Sequence, residues 1–440
     1  VITVSTSSKA WAQKEYVIHF LNEHYLAMPI QITKDEDVEG WTFKYSEDRG
    51  IALDLSASFF HDLDQHWLSN KFAPIPLRNG LAHPNQPDNV DDLGTIFYLL
   101  SHYSECMQPE KDVHNRVSAL HSLVIEKNWH NRCVVNECAE RFLNVLSHQF
   151  PEMVWKMPEA SFRITHDVDR PFKYAYEKIG THFKRGLGSY RFGNSIKRIV
   201  LEIARVALYP ILKDKVDPYN HFEWILKENK NFNSTPLFYW IPIQEHAEFD
   251  SMYHLSDDKI QNVLRELKGA NAKLGSHPNY NSSNSIDGIQ KNWEAFQNIL
   301  PVNETRKNRQ HFLKFDPLNF PEQLALAQVD EDSSYGWADR TGFRASCSLP
   351  YYLFDVKNKK ATSIKEIPLC AMDVTVITSR YMNITDPEKV LYQFAQYLEI
   401  VKKHGGIYCV LWHNDTLQYS IYKNVYWKVI KLASKAGNCA

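Results

Sequence analysis

Between residues 162 and 412 the chain repeats one pattern: a short apolar run, a polar residue at its end, then a stretch of helical spacing. The apolar runs are 162–165, 237–241, 272–275, 311–315, 367–372 and 407–412. Helical spacing marks 196–212, 221–229, 257–268, 289–300 and 387–403. Strands separated by helices pair in parallel, because a tight hairpin cannot join parallel neighbours and a crossover helix can. Sustained over ~280 residues, the alternation predicts a parallel sheet closed or nearly closed into a barrel. The fold class expected is therefore α/β, a distorted (β/α) barrel over 159–440.

The first 158 residues carry a different pattern and predict a smaller α/β domain. Helical spacing covers 9–25, 93–103 and 138–150, short strands are expected at 41–45 and 51–55, and the Pro/Asn-rich stretch 74–87 reads as a loop. Two prolines and two methionines in 151–158 mark the expected boundary. This half is rich in histidine (His61, His66, His83, His102, His114, His121 and His130), with no pair at ligand spacing beside a carboxylate. These histidines are expected to be surface or locally bonded residues.

Composition removes several classes of function. Lys and Arg number 50 against 52 Asp and Glu, so 50 − 52 gives a net charge of −2, which does not suit a protein that coats nucleic acid. Seven cysteines without a CxxC pair support neither a zinc ribbon nor a redox motif, and a reducing compartment is expected. Residues 1–8 lack the basic and apolar regions of a signal peptide, and no run of ~18 apolar residues predicts a spanning helix. The expected location is cytoplasmic, with contact at the inner membrane face left open by a feature described below.

The strand ends carry the chemistry. Run 162–165 leads into His166-Asp167-Val168-Asp169, and 272–275 leads into Ser276-His277-Pro278-Asn279-Tyr280-Asn281. Run 367–372 delivers Asp373, and 407–412 delivers His413-Asn414-Asp415. A single Asp-x-Asp after a strand also serves as a turn or helix cap. Four strands ending on a carboxylate or an imidazole are a different matter, because barrel active sites form at the carboxyl ends of the strands.

In order, these residues resemble the NodB-type polysaccharide deacetylases, carbohydrate esterase family four: strand-Asp-x-Asp, Gly-x-His, Arg309, Asp373 and Leu-x-His. The resemblance is to the divergent branch with a Thr-His-Asp-Val-Asp first motif and an extra N-terminal domain, and it spans residues 162–414. It implies metal-dependent hydrolysis of an N-acetyl amide on a sugar. Asp169 and His277 would be metal ligands, Asp167 the general base, and His413 the general acid. Asp373 would hold His413, Arg309 would keep Asp167 ionised, and a backbone N–H near Phe312 would serve the oxyanion. The implied cofactor is a divalent metal, Zn²⁺ first, with Co²⁺ or Ni²⁺ also suited to an O/N ligand set.

This sequence departs from the family at two places. Val168 separates Asp167 from Asp169 where the family has adjacent aspartates, so the base and ligand roles of these two are interchangeable at this stage. Asn281 stands where the family has a second histidine, which leaves Asn281 and His311 as alternative third ligands. Tyr335 and Trp337 either line the substrate pocket, stacking on a sugar, or pack in the core; Arg344 either meets an anionic substrate group or anchors its loop; and Phe312 is expected beside the substrate. The implied partner is an N-acetylated carbohydrate, with no nucleic acid; the sequence does not set the oligomeric state. Two other readings stay open: an amidohydrolase acting on a non-sugar amide, and a carbohydrate-binding barrel without catalysis.

One stretch fits neither the strand pattern nor the motifs. In 195–215, Ile199, Ile203, Val206, Tyr209 and Leu212 fall near one helical face, with Lys197, Arg198, Arg205, Lys213 and Lys215 around them and Lys184, Arg185 and Arg191 upstream. A basic amphipathic helix of this kind packs across a barrel, acts as a lid, or contacts a membrane surface.

Overall fold

The computed structural model describes residues 2–38, 40–46, 49–53, 60, 91–106, 108, 110–176, 196–246, 248–250, 252–301 and 305–440. The loop expected at 74–87, His61, His66 and His83, and the basic residues Lys184, Arg185 and Arg191 lie outside the described residues. The described chain forms two sheets. Strands β1 (Thr3–Thr6), β2 (Gln31–Lys34), β3 (Trp41–Ser46) and β4 (Arg49–Leu53) make a four-stranded sheet in the order β2-β1-β3-β4.

The second sheet contains β5 (Ala160–Val168), β6 (Leu237–Trp240), β7 (Lys273–Ser276), β8 (Lys307–Asn308) and β9 (Glu331–Asp332). It continues with β10 (Tyr351–Asp355), β11 (Lys360–Glu366), β12 (Leu369–Met372), β13 (Gly406–Leu411) and β14 (Asn438–Cys439). The order is β10-β11-β9-β8-β7-β6-β5-β13-β12, with β14 paired to β5. Every pairing in it is parallel except the β10–β11 hairpin. The sheet is curled, and among the described residues its end strands β10 and β12 are not paired to each other, so the expected barrel is an open one.

Burial explains the strand composition. Every residue of β6 and β13 is buried, as is β5 from Phe162 onward, which is the condition of parallel strands covered on both faces. Helices supply the covers. Asp258–Gly269 turns Ile260, Val263, Leu264 and Leu267 inward at helical spacing. Pro387–His404 starts at Asp386, whose carboxylate accepts from the Lys389 N–H, and ends at Gly405 with φ 74°. Gly275 in β7 has no room for a side chain: a Cβ there would lie 2.6 Å from the Lys307 carbonyl oxygen and 2.7 Å from the Tyr239 ring.

The two sheets share one continuous apolar core, from Val4 and Trp41 to Trp412 and Val429. Tyr16 of the helix Trp11–His24 donates to the Tyr352 carbonyl at 2.6 Å and meets the Phe354 ring at 5.3 Å. His102, expected at the surface or bonded locally, is buried and bonds Tyr351 across the chain at 2.7 Å.

Two local readings are corrected. The run 311–315 is not a strand: His311–Leu313 is a tight turn in which Phe312 and Leu313 have φ 61° and 51°, and the strand lies earlier, at β8. Short strands β1, β2, β9, β10 and β11, of two to seven residues, are not among the strands expected from the sequence. The helix Ile196–Leu212 is present as expected, and Ile203 and Leu212 are exposed.

Candidate metal centre

Sheet register brings the polar residues to one level. Val168 pairs with Trp240, Trp240 with Ser276, and Ser276 with Asn308, so Asp169, His277 and Arg309 each follow the last paired residue of their strand. On the other side Thr165 pairs with Leu411 and Leu411 with Met372, which puts His413 near Asp167 and Asp373 near His413. Six adjacent strands thus present their carboxyl ends to a common space.

Asp169, His277 and His311 form a cluster in which one ligand atom from each lies within 4.8 Å of the others. Asp169 Oδ1 is 3.4 Å from His277 Nε2, and Asp169 Oδ2 is 3.6 Å from His311 Nε2. A tetrahedral ion with bonds of about 2.0–2.1 Å spaces its ligands about 3.3 Å apart, so these separations suit a shared cation. The buried Asp169 Oδ1 has no hydrogen-bond partner among the described residues, which leaves it available to a cation.

Each imidazole is turned by a bond at its other nitrogen. His277 Nδ1 donates to the Arg309 carbonyl at 2.5 Å, and His311 Nδ1 donates to Asp250 Oδ1 at 3.2 Å. Both Nε2 atoms therefore face Asp169, the arrangement found around metal-ligating histidines. Asp250 is itself fixed by the backbone N–H groups of Glu245, His246 and Tyr280. Burial disfavours the charged form of His311, but the carboxylates of Asp169 and Asp250 outweigh it and move the pKa up to about 9. Burial likewise opposes charge on Asp169, while His311, His277 and His413 hold it well below the usual carboxylate range.

Two further groups flank the cluster. Asp167 is buried, with Oδ1 accepting from the fully buried Arg309 at 3.2 Å and Oδ2 lying 3.6 Å from His277 Nε2. The same guanidinium donates to Thr165 Oγ1 and to the Ser333 carbonyl and hydroxyl, so its position is over-determined. His413 approaches from the other side, with Nε2 at 3.7 Å from Asp169 Oδ2 and Nδ1 donating to Asp373 Oδ1 at 2.7 Å. Asp373 Oδ2 accepts from the His413 N–H and from the Thr416 hydroxyl. Burial alone would discharge His413; Asp373 reverses this and moves its pKa up to about 10.

Of the residues read from the sequence, Asp167, Asp169, His277, Arg309, His311, Asp373 and His413 thus meet at one place. Asn281 begins the turn Ser282–Asn284, where its carbonyl accepts from the Asn284 N–H. His166, inside the first motif, is a core residue: it donates to the Trp412 carbonyl, accepts from Tyr426, and is kept neutral by burial, which lowers its pKa to about 3.

The expected pocket-lining residues divide. Phe312 is half-buried next to His311. Tyr335 is buried, with its ring stacked on His102 at 3.6 Å and Arg344 over it at 4.5 Å, so its faces are covered by protein and not open to a sugar. Arg344 is fully engaged by Glu105, the Gly336 carbonyl and the Val117 carbonyl, and Trp337 is buried beside them. For these three the structure gives the packing alternative.

Sequence reasoning missed Asp250, Thr416 and Arg116. Arg116 pairs with Asp112 and donates to the Phe312 carbonyl at 2.6 Å, holding the turn that carries His311. None of the three falls at a strand end or at a recognisable spacing.

Comparison with known proteins gives three findings. Residues 2–151 match the model of a family described as "Family of unknown function (DUF7033)". A crystal structure described as "putative polysaccharide deacetylase from Mycobacterium smegmatis" is similar at 13% identity and a TM-score of 0.41, over 64% of this chain and 87% of that one. No curated protein matches.

Proposed function

We propose that the chain is a metal-dependent N-deacetylase acting on an N-acetylated carbohydrate, as a polymer, an oligosaccharide or a glycolipid precursor. The observation that carries this reading is a three-ligand cluster (Asp169, His277, His311) flanked by two separately supported proton-transfer groups, Asp167 on Arg309 and His413 on Asp373. The motif order Asp-x-Asp, Gly-x-His, Arg, Asp, Leu-x-His adds the resemblance to NodB-type enzymes.

A divalent cation, Zn²⁺ for preference, would be held by Asp169, His277 and His311, and would supply Lewis acidity toward the amide carbonyl and lower the pKa of water toward about 7. Asp167 takes the proton from the attacking water through Oδ2, the oxygen turned toward His277, while Arg309 occupies Oδ1. Of the two carboxylates, Asp167 is better placed as base and Asp169 as ligand, because Asp169 bridges both imidazoles. The water oxygen bonds to the carbonyl carbon and the C–N bond breaks. His413, with Nδ1 committed to Asp373, gives the proton on Nε2 to the departing nitrogen. Acetate and the free amine are the products.

Metal analysis and acetate release test the reading together. Zinc-loaded protein is expected to release acetate from members of a panel of N-acetyl sugars. Asp169→Ala, His277→Ala and His311→Ala are each expected to lose metal, whereas Asn281→Ala keeps it. Full metal content in both Asp169→Ala and His277→Ala would disprove the centre; a metal-loaded protein silent on every sugar but active on other amides would shift the substrate class.

A further inference from the structure

We propose that the helix Ile196–Leu212, which packs on Tyr174 five residues after Asp169 of the metal centre, is a docking surface for an anionic lipid bilayer. The carrying observation is an inverted helix. Val200, Leu201, Ile203, Leu208, Ile211 and Leu212 are all exposed, Val200 at 59% and Ile211 at 77%. At helical spacing they lie on one side together with the exposed Ala204 and Ala207. The opposite side holds the contacts with the rest of the chain: the Tyr209 ring is 5.3 Å from Tyr174, and Lys259 donates to the Tyr209 hydroxyl at 2.9 Å. A surface helix of a globular protein turns its apolar residues to the core, whereas this one, beyond the partly buried Val206 and Tyr209, also presents a broad apolar face outward.

The charge pattern selects the occupant. Residues 196–215 contain Lys197, Arg198, Arg205, Lys213 and Lys215 against Glu202 and Asp214, so 5 − 2 leaves a surplus of 3 in a chain whose net charge is −2. A second copy docked on the same face would set this surplus against itself. A bilayer with anionic headgroups complements it, with the aliphatic side chains entering the acyl boundary. Among the described residues no helix is long and apolar enough to cross a membrane, so the helix lies in the interface plane.

The position ties docking to the site. Tyr174, on which the helix rests, comes five residues after Asp169, and the Tyr174 N–H is fixed by Asp217 just beyond the helix. Resting on the deacetylase reading, the substrate met there is a glycan carried on a membrane. The docking itself rests on the helix alone.

The experiment is flotation of the full chain with vesicles of phosphatidylcholine, or of phosphatidylcholine mixed with phosphatidylglycerol, alongside sedimentation of the lipid-free protein. Flotation with the mixed vesicles only, reduced by added salt, is expected. Leu208→Asp with Ile211→Asp weakens vesicle binding by about tenfold or more with an unchanged circular dichroism spectrum. Arg205→Glu with Lys215→Glu weakens binding to mixed vesicles and removes its salt dependence. The proposal is overturned by absence of flotation with either vesicle, by equal binding of the Asp variants, or by a lipid-free dimer that those variants dissociate. Acetate release from a water-soluble sugar is measured in parallel, so a failure of docking and a failure of the deacetylase reading are told apart.

Discussion

Two segments border the strand-end rim without adding a strand to the large sheet, and they are held in opposite ways. The segment from His102 to Asn136 is pinned by directional bonds in the interior: Glu105 to Arg344, His102 to Tyr351, Arg116 to the Phe312 carbonyl, and the Val134 N–H to Ser346 Oγ. The helix Ile196–Leu212 rests on Tyr209 and turns its aliphatic side chains outward. The first holds four Lys and Arg against four Asp and Glu, and the helix three against one. What separates them further is what faces outward: the first segment's polar groups named above end on buried partners, while the helix turns Val200, Leu208 and Ile211 to the surface. A buried bond is costly to break and transmits position, whereas an exposed apolar face contributes little to the fold and leaves surface for a partner.

The strongest contrast is predicted at the Glu105–Arg344 pair. Arg344 is buried, and Glu105 overrides the effect of that burial to keep the guanidinium charged. Glu105→Gln leaves the charge without its carboxylate and is expected to cost about 3–5 kcal/mol in urea unfolding. A loss below about 1 kcal/mol would mean that the segment is not pinned there.

Arg116 tests whether pinning reaches the metal ligands. Its guanidinium bonds Asp112 and the Phe312 carbonyl together, and that carbonyl belongs to the turn with φ 61° at Phe312 and 51° at Leu313. Arg116→Ala is expected to weaken zinc about 10-fold or more, the usual range for outer partners of a metal site, with the fold retained. Arg116→Lys restores little, since an ammonium lacks the planar fork. Chelator competition for zinc measures this, and wild-type affinity in Arg116→Ala would confine the segment to a structural role.

His102 supplies a pH test of the same segment. Burial first, and then the nearby Arg344 charge, hold its pKa well below the ordinary value, so it is neutral when folded and protonates on unfolding. Stability from such a group is present above pH ~6.5 and is lost as pH falls, because the unfolded chain binds the extra proton. Between pH 7 and pH 5 the wild type is expected to lose about 2 kcal/mol more than His102→Gln. Parallel losses in urea titrations at the two pH values would show that His102 is solvated.

How far the site was legible follows the same division. Asp167, Asp169, His277, Asp373 and His413 were readable because each ends a strand, and strand ends can be found from short-range apolar patterning. Sequence alone leaves His311 and Asn281 as alternatives, because Asn281 occupies the family's second-histidine position while His311 stands two residues after Arg309. The turn that lifts His311 into the cluster is held by Arg116, 196 positions earlier in the chain. Tyr335 and Arg344 look like pocket residues until His102 and Glu105 arrive from the other half and cover them. Asp250 orients His311 from a loop with no periodicity. Short-range patterning located the strand ends, and what it missed depends on partners distant in sequence.

The smallest predicted effect completes the comparison. Leu208 and Ile211 are exposed, so replacing both by Asp removes little buried area, and unfolding stability is expected to change by no more than about 0.5 kcal/mol. Acetate release from a water-soluble sugar is likewise expected to stay unchanged. Set beside Glu105→Gln, a near-zero value gives the helix a face that the fold does not need. A loss above about 1 kcal/mol would place these side chains against the protein instead, and the contrast between a pinned segment and a free face would fail.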